Sequence, residues 1–506
     1  MTIPAELLTR KAPATWINHH QTVRASVAAV LTLRNAGSAN TMANMRQTAG
    51  HVQTIIRDAV TQGVRLRTVG SRWSFSDIGG VRGGWVLETD NLQMRFVLKA
   101  QNLDPAYRGT AEELMLFQCG ASIHSVNEEV EAKRFSRALR TSGASNGQTI
   151  AGAMSTGTHG SAIDVGAIET QVAGFQLLTA SSNLWLERPS DPVLGEAAAG
   201  QLGATLVRDE MLFRAALVSL GTCGVVHSVL VRTTGRYRLR SHLRWMTFAQ
   251  VERAMNTLDF AGLDLPQPES RPYFFQVVTD PADPHTAFVT TRYKEPCPPG
   301  HVPKYDLTTG YEPGNDLPAL VGRVLNVAGG LRPLVASLLI RQEMKEFDRD
   351  PLTPGETYDF TSPRSGVAGT GIAVPMAYTS RALAKVREAF AKNPSAPIIA
   401  ACRYVQKSPA LLAFTRFDPT CVIDIDGVNS APTLKVMEET RRLLDRDGIP
   451  YAEHWGKMHD LTAQRLRRNY GSDLDRWTEA RRRLLPDAAE RTTFSTPLFD
   501  AVGLNA

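Results

Sequence analysis

The chain has 506 residues; Lys plus Arg exceeds Asp plus Glu by 56 − 50 = 6, and 43% of residues are hydrophobic against 21% charged. These values exclude disordered, collagen-like and disulfide-scaffold classes, and at about 150 residues per domain they allow two or three domains with a large core. The five cysteines are odd in number and scattered, with no C-x-x-C. That pattern points to reduced thiols in a cytoplasmic setting and away from a Cys-rich zinc site. The opening MTIPAELLTRKAP lacks the apolar stretch of a signal peptide.

Residues 1–45 read as a polar, irregular leader with some helix. His51–Gly63 carries Val52, Ile55, Ile56, Ala59 and Val60 at helical spacing, and Val64–Gly70 then alternates as a strand ending in the loop VGSRWSFSDIGG. Trp85–Leu92 and Leu114–Gln118 read as strands, and Ile123–Arg134 as a helix opened by CGAS. A Gly/Ser/Thr-rich stretch, Ser142–Ser161, precedes strand-rich sequence from Val172 to Arg240. Phe248–Leu258 is predicted helical, and Tyr273–Thr279 with Ala287–Lys294 reads as a strand pair across a Pro/Asp turn. Residues 296–370 are Pro/Gly-rich and irregular. Ser380–Lys392 and Thr433–Asp447 are predicted helices, enclosing the strands Ile398–Gln406 and Thr420–Asp426. Helix-strand-strand thus appears twice, which suits an antiparallel sheet with helices on one face. The chain divides into a leader (1–45), a first domain (46–240), a second (241–458), and a C-terminal segment (459–506) expected to return to the first.

Several features weigh against other functions. Leu317–Ile340 is the most apolar long stretch, but Arg323, Arg332, a Gly-Gly pair and Pro333 interrupt it, so no transmembrane helix is predicted; it reads as a buried hairpin or as a surface for a membrane or apolar ligand. The Arg-rich tail is interleaved with Asp473, Asp475 and Glu479, as on a solvated helix, and nucleic acid is not an expected partner. Gly143–Gly147 spells the G-x-S-x-G of a serine hydrolase around Ser145, but the Gly-rich sequence after it is a poor helix start. His19–His20 lacks a nearby carboxylate or thiol, and no metal site is predicted.

Two loops at strand ends concentrate Gly, Ser and Thr. Such loops either bring backbone N–H and hydroxyl donors against an anion or are ordinary tight turns. Neither is G-x-G-x-x-G or Walker A. In order and spacing, however, VRLRTVGSRWSFSDI, TSGASNGQTIAGAMSTGTHGSA and VSLGTCGVVHSVLVRTT resemble the FAD-binding domain of the vanillyl-alcohol oxidase flavoprotein superfamily. PYAEHWGKMHDLT and the Trp-Arg-Arg-rich helix after it are similar to the sugar-lactone and alditol oxidase branch. The resemblance implies an α+β, two-domain flavoprotein: a two-subdomain α/β FAD-binding domain and an antiparallel-sheet substrate domain flanked by helices. It implies FAD contacts from Gly70, Ser71, Arg72, Trp73 and Ser74 in the first loop. Ser142, Gly143, Gly152, Thr156, Gly157, Thr158 and His159 would follow in the second, with Gly224 and Val226 at the adenine end.

Two departures matter. Many relatives attach flavin through a histidine where this chain has Trp73, and GAMSTGTHG contains no cysteine, so FAD is expected to be non-covalent. Relatives that oxidise polyols carry a Glu-x-Arg pair; here Arg403 fits and Ala401 stands where the carboxylate would be. The implied activity is oxidation of a CH–OH group in a sugar-like, polyol or lactone small-molecule substrate, with reoxidation by O₂ or another acceptor. A bulkier, less polar substrate, or flavin binding without turnover, are the alternatives. Lys457 is the candidate cation for reduced flavin, and burial is expected to bring it nearer neutrality. His454, placed on the opposite strand face from Lys457, reads as either a packed histidine or the base. Arg403, Tyr404 and Tyr378 are the candidate substrate contacts.

Overall fold

The computed structural model describes residues 3–143, 145–305, 344–360, 364 and 366–505. The first layer is a four-stranded sheet in the order Leu8–Lys11, Ala29–Leu33, Trp85–Glu88, Leu66–Val69, with the last three strands parallel. Helix Met42–Thr61 covers it, opened by the Thr41 side chain, which accepts from Asn44 N–H. The helix starts nine residues before the periodicity suggests, because polar Asn44, Arg46 and Gln47 mask a stripe that already includes the buried Met45 and Ala49. The supposed leader is likewise strands, since Ala29–Leu33 alternates buried and half-buried residues and belongs to this sheet.

A six-stranded sheet forms the second layer, with Val172–Leu178 and Val225–Arg232 at its centre and Leu114–Gln118 beside them. Against the second layer packs the short helix Ile150–Thr156, inside the stretch whose glycines argued against a helix. Ile150, Ala153 and Met154 bury against the core and offset the low propensity of Gly152.

The third layer is an eight-stranded antiparallel sheet. Its order is Phe347–Leu352, Tyr237–Thr247, Thr286–Pro296, Phe274–Thr279, Ile398–Val405, Thr420–Val428, Val367–Pro375, Ala452–Glu453. Helices Phe248–Thr257, Thr379–Lys392 and Ala431–Arg446 pack on one face, burying Cys402, Tyr404, Ile423 and Ile425. Register decides what the other face carries. Ala401 pairs with Asp424, Arg403 with Val422 and with Gln276, and Gly369 and Gly371 with Asp426 and Asp424. Directly paired residues share a face, so Arg403, Asp424, Asp426 and Gln276 project together, away from the helices.

The C-terminal helices return to the first two layers. Trp477 Nε1 donates to Ala215 O at 3.1 Å, and buried Arg481 donates to Thr222 O at 2.9 Å. The arginine-rich tail is thus solvated on one side only. Among the described residues no helix is long and apolar enough to cross a membrane. The apolar stretch Leu317–Ile340 lies outside the described residues.

Candidate active site

A deep cleft lies between the Gly-rich loops and the open face of the eight-stranded sheet, with about 1490 Å³ of empty space including its mouth. Gly70, Ser71, Arg72, Trp73 and Ser74 line it, as do Gly152, Thr156, Thr158, His159, Gly224 and Val226. Gly70 is required where the two loops meet: a Cβ there would fall 2.1 Å from Thr149 Oγ1. Arg72 holds a positive φ of 59°, an uncommon conformation for a residue with a side chain, and its carbonyl accepts from His19 N–H at 2.7 Å. Trp73 stacks on His19 with ring centroids 4.3 Å apart, and His20 stacks on Phe75. The two histidines therefore buttress the loop.

Arg67, at the foot of the first loop, was not singled out from the sequence. Its buried guanidinium lines the cleft and donates to the carbonyls of Ile78, Gly221 and Phe494 at 2.9, 3.3 and 3.2 Å, and to that of Leu220. Burial lowers its pKa to about 10, so it stays cationic. Cys119 also lines the cleft, and burial pushes its thiol up to about 12.

Where the cleft meets the sheet, the H-W-G-K turn supplies His454, Gly456 and Lys457, and the sheet supplies Arg403 and Asp426. The turn is tied to the first loop: Phe75 N–H donates to Gly456 O at 2.7 Å, and Ser76 Oγ to Trp455 O at 2.6 Å. The strand ends at Glu453, so alternation lapses and His454 and Lys457 reach the same cavity, not opposite faces. Lys457 Nζ donates to Asp424 Oδ1 at 2.8 Å and to Asp426 Oδ1 at 3.1 Å. Burial alone would lower its pKa, but the two carboxylates hold it above the ordinary lysine value, contrary to the shift toward neutrality that burial suggested.

Asp424 and Asp426 are both buried and sit in unlike fields. Burial would raise Asp424, but Lys457 and Arg403 hold it well below the usual carboxylate range; its Oδ2 lies 3.5 Å from Arg403 Nη1 and 3.9 Å from His159 Nε2. Burial raises Asp426 to about 6, with neighbouring Asp424 adding to the rise and Lys457 opposing it. Burial lowers His159 to about 4 and His454 well below its ordinary value. Gly456 N–H donates to His454 Nδ1 at 2.9 Å, so His454 carries its proton on Nε2 and is a donor. It is not placed to act as a base.

Other expected residues fall elsewhere. Tyr404 projects to the helix-covered face and stacks on Phe275 at 5.3 Å, because it is one residue out of phase with Arg403. Tyr378 closes a short turn against the same helical layer, under Arg381. Ser142, Gly143 and Gly157 do not line the cleft; Ser142 is bonded to Asn127. Ser145 lines the cleft, its carbonyl accepting from the Gln148 side-chain amide at 2.6 Å. Among the described residues no group of three or more His, Cys, Asp or Glu side chains is arranged to hold a metal ion.

A family model described as "FAD binding domain" matches residues 46–185, and one described as "D-arabinono-1,4-lactone oxidase" matches residues 368–490. Both matches resemble the vanillyl-alcohol oxidase type FAD-binding superfamily, the first over its FAD-binding domain and the second over its sugar-lactone oxidase branch. A D-arabinono-1,4-lactone oxidase of Yarrowia lipolytica is 29% identical over 207 residues, 41% of this chain and 34% of that protein. The chain thus matches about a third of the length of this relative. An L-gulono-1,4-lactone dehydrogenase of Mycobacterium tuberculosis is 25% identical over 443 residues, 86% of this chain and 90% of that protein. Among solved structures, a solvent-stable cholesterol oxidase superposes with a TM-score of 0.67 at 12% identity, covering 99% of both chains. A xylooligosaccharide oxidase from Myceliophthora thermophila C1 superposes at 0.61 and 14% identity, covering 95% of this chain and 93% of that one. At these identities the superpositions speak for the fold alone. FAD is the cofactor of this superfamily fold, and the cleft suits it: a Gly70 cradle that a Cβ would fill, hydroxyl-rich loops and a buried Arg67 cation together match a dianionic diphosphate.

Proposed function

We propose that this protein is an FAD-dependent oxidoreductase that oxidises a CH–OH group of a sugar-like, polyol or lactone substrate, its electrons passing on to O₂ or another acceptor. One observation carries the reading: the cleft lined by Gly70–Ser74, Gly152, Thr156, Thr158 and His159 also takes in Arg403, Asp426 and Lys457. When bound, FAD supplies the oxidant that accepts hydride from the alcohol carbon. Gly70, Ser71, Arg72 and Ser74 hold its diphosphate side, with Arg67 as buried counter-charge. Gly152, Thr156, Thr158 and His159 would line the flavin side, and Gly224 and Val226 would meet the adenine. Lys457, kept charged by its carboxylates, offsets negative charge at the reacting centre, and Arg403 orients the substrate oxygen. FAD is held by contacts alone, since Trp73 forms no flavin bond and the buried Cys119 thiol stays protonated. The cysteines that the structure describes are all free, four of them buried, which fits a cytoplasmic setting.

The test is an absorbance spectrum of the purified protein followed by anaerobic bleaching against polyols, sugar lactones and apolar alcohols. Bleaching by the first two supports the proposal, and a protein without a flavin band defeats it. A second reading, a bulkier and less polar substrate, draws on the apolar cluster beside Arg403, where Ala401 packs with Phe75, Val278, Phe288 and Ile399. Bleaching by apolar alcohols only would select it. A flavin band that no alcohol bleaches would leave binding without turnover.

A further inference from the structure

The alcohol-oxidising reading needs a group to take the hydroxyl proton, and the strand position at which relatives carry a carboxylate is Ala401, buried in an apolar cluster. The adjacent strand carries two instead. Asp424 pairs directly with Ala401, and Asp426 lies two residues on, on the same face. Space for both comes from the strand beyond, where Gly369 and Gly371 are their partners. A Cβ on Gly369 would fall 2.2 Å from Asp426 Oδ1, and one on Gly371 would fall 3.2 Å from Asp424 Oδ1. The carboxylate has thus moved one strand sideways, into room left by two glycines.

The two aspartates differ in reach. Asp424 has no exposed surface and does not line the cleft; its Oδ1 is held by Lys457 and its Oδ2 lies beside Arg403. Asp426 lines the cleft, and its only described partner is Lys457, at 3.1 and 3.4 Å. The charged and titratable groups around Asp426 are Lys457 from the H-W-G-K turn, Asp424 on its own strand and Arg403 on the neighbouring one. His454 and His159 line the same cavity.

We infer that Asp426 accepts the substrate's hydroxyl proton, while Asp424 is the fixed anion that positions Lys457 and Arg403 around it. The assignment rests on the alcohol-oxidising reading. In the step, the O–H bond breaks and its proton goes to an Asp426 carboxylate oxygen. The C–H bond breaks with its electron pair passing to FAD, and the O–H pair becomes the new C=O bond. Other cavity groups fit the proton-accepting role less well. His454 presents an N–H, His159 is held neutral near 4 by burial, and Asp424 is pinned as an anion out of reach.

The experiment compares holoenzyme with Asp426→Asn and Asp424→Asn in two measurements. The first is anaerobic flavin reduction across pH, with whichever alcohol of the panel bleaches the wild type. The second is the infrared titration of protonated carboxyl bands, which needs no turnover. In wild type, reduction should rise with pH through about 6, and a carboxyl band should titrate over the same range. Asp426→Asn should slow reduction by roughly 10²–10⁴-fold, flatten the pH profile, leave substrate affinity within about threefold and remove the band. Asp424→Asn should keep the band but move its midpoint lower, since a neighbouring negative charge is gone. A wild type that no alcohol reduces overturns the functional reading. A reducible wild type whose Asp426→Asn variant keeps its rate or its band overturns the assignment of Asp426 alone.

Discussion

Replacing a cavity-lining aspartate should make this protein more stable, and the size of the gain follows from the field around Asp426. Its carboxyl is raised from an ordinary 3.8 to about 6 by burial and by Asp424. A folded-state value above the unfolded one gives stability that is present at low pH and lost as pH rises through the folded value. Above about pH 7 both states are ionised, and the full difference, about 3 kcal/mol, works against folding. Asp426→Asn removes the charge and keeps an oxygen for Lys457. It should therefore gain about 3 kcal/mol over wild type at pH 8, shrinking to about 1 kcal/mol by pH 4.5. Urea unfolding at both pH values, with FAD in excess so that cofactor binding contributes equally, measures the difference. A variant less stable than wild type at pH 8, or a gain that ignores pH, would refute the field described here. Stability gained with activity lost is the expected signature of a strained site.

Lys457→Met leaves Asp424 and Asp426 buried without their shared cation, and should destabilise by about 3–5 kcal/mol at pH 8. Much of that loss should return at pH 5, where a carboxyl takes up a proton; the same urea series detects it. Gly70→Ala drives a methyl group toward Thr149 Oγ1 at 2.1 Å, and should weaken FAD retention at least about tenfold, a loss of about 1.4 kcal/mol, read by flavin release on a desalting column. Thr149→Ser, which removes the methyl but keeps the hydroxyl, should not rescue it. Acid precipitation of the holoenzyme should leave all yellow colour in the supernatant, and colour retained in the pellet would show a covalent link.

The four central strands of the eight-stranded sheet and the helices on them were legible from local pattern: Ala382, Leu383 and Val386 lie on one helix face, and Ile398–Val405 is an unbroken buried run. Phe347–Leu352, inside sequence read as irregular, and Val367–Pro375 were not, since pairing with neighbouring strands makes them extended. The Gly-rich loops were legible through composition and spacing. What escaped was set by long-range contact. Ile150–Thr156 is helical because the core buries Ile150, Ala153 and Met154, and Leu8–Lys11 is a strand because Ala29–Leu33 pairs with it. In the site, Lys457 and Arg403 could be named from local motifs, but Asp424 and Asp426 could not. D-I-D reads as an alternating strand, and only the register that sets Asp424 across from Ala401 shows where its carboxylates go. Arg67 was hidden in the same way, since its partners are carbonyls from residues as distant as Phe494.

Those distant partners bear on how the protein matures. The first loop leans on Gly456 and Trp455, and Arg67 is fixed by Leu220, Gly221 and Phe494. The amino-terminal layers can therefore begin to form during synthesis, but the cradle is incomplete until the chain has been made as far as Phe494. Cofactor capture becomes a late event that reports on the whole chain. Yellow protein is protein whose segment around Phe494 has already docked, and a chain cut short before residue 494 should be colourless however well its glycine loops fold.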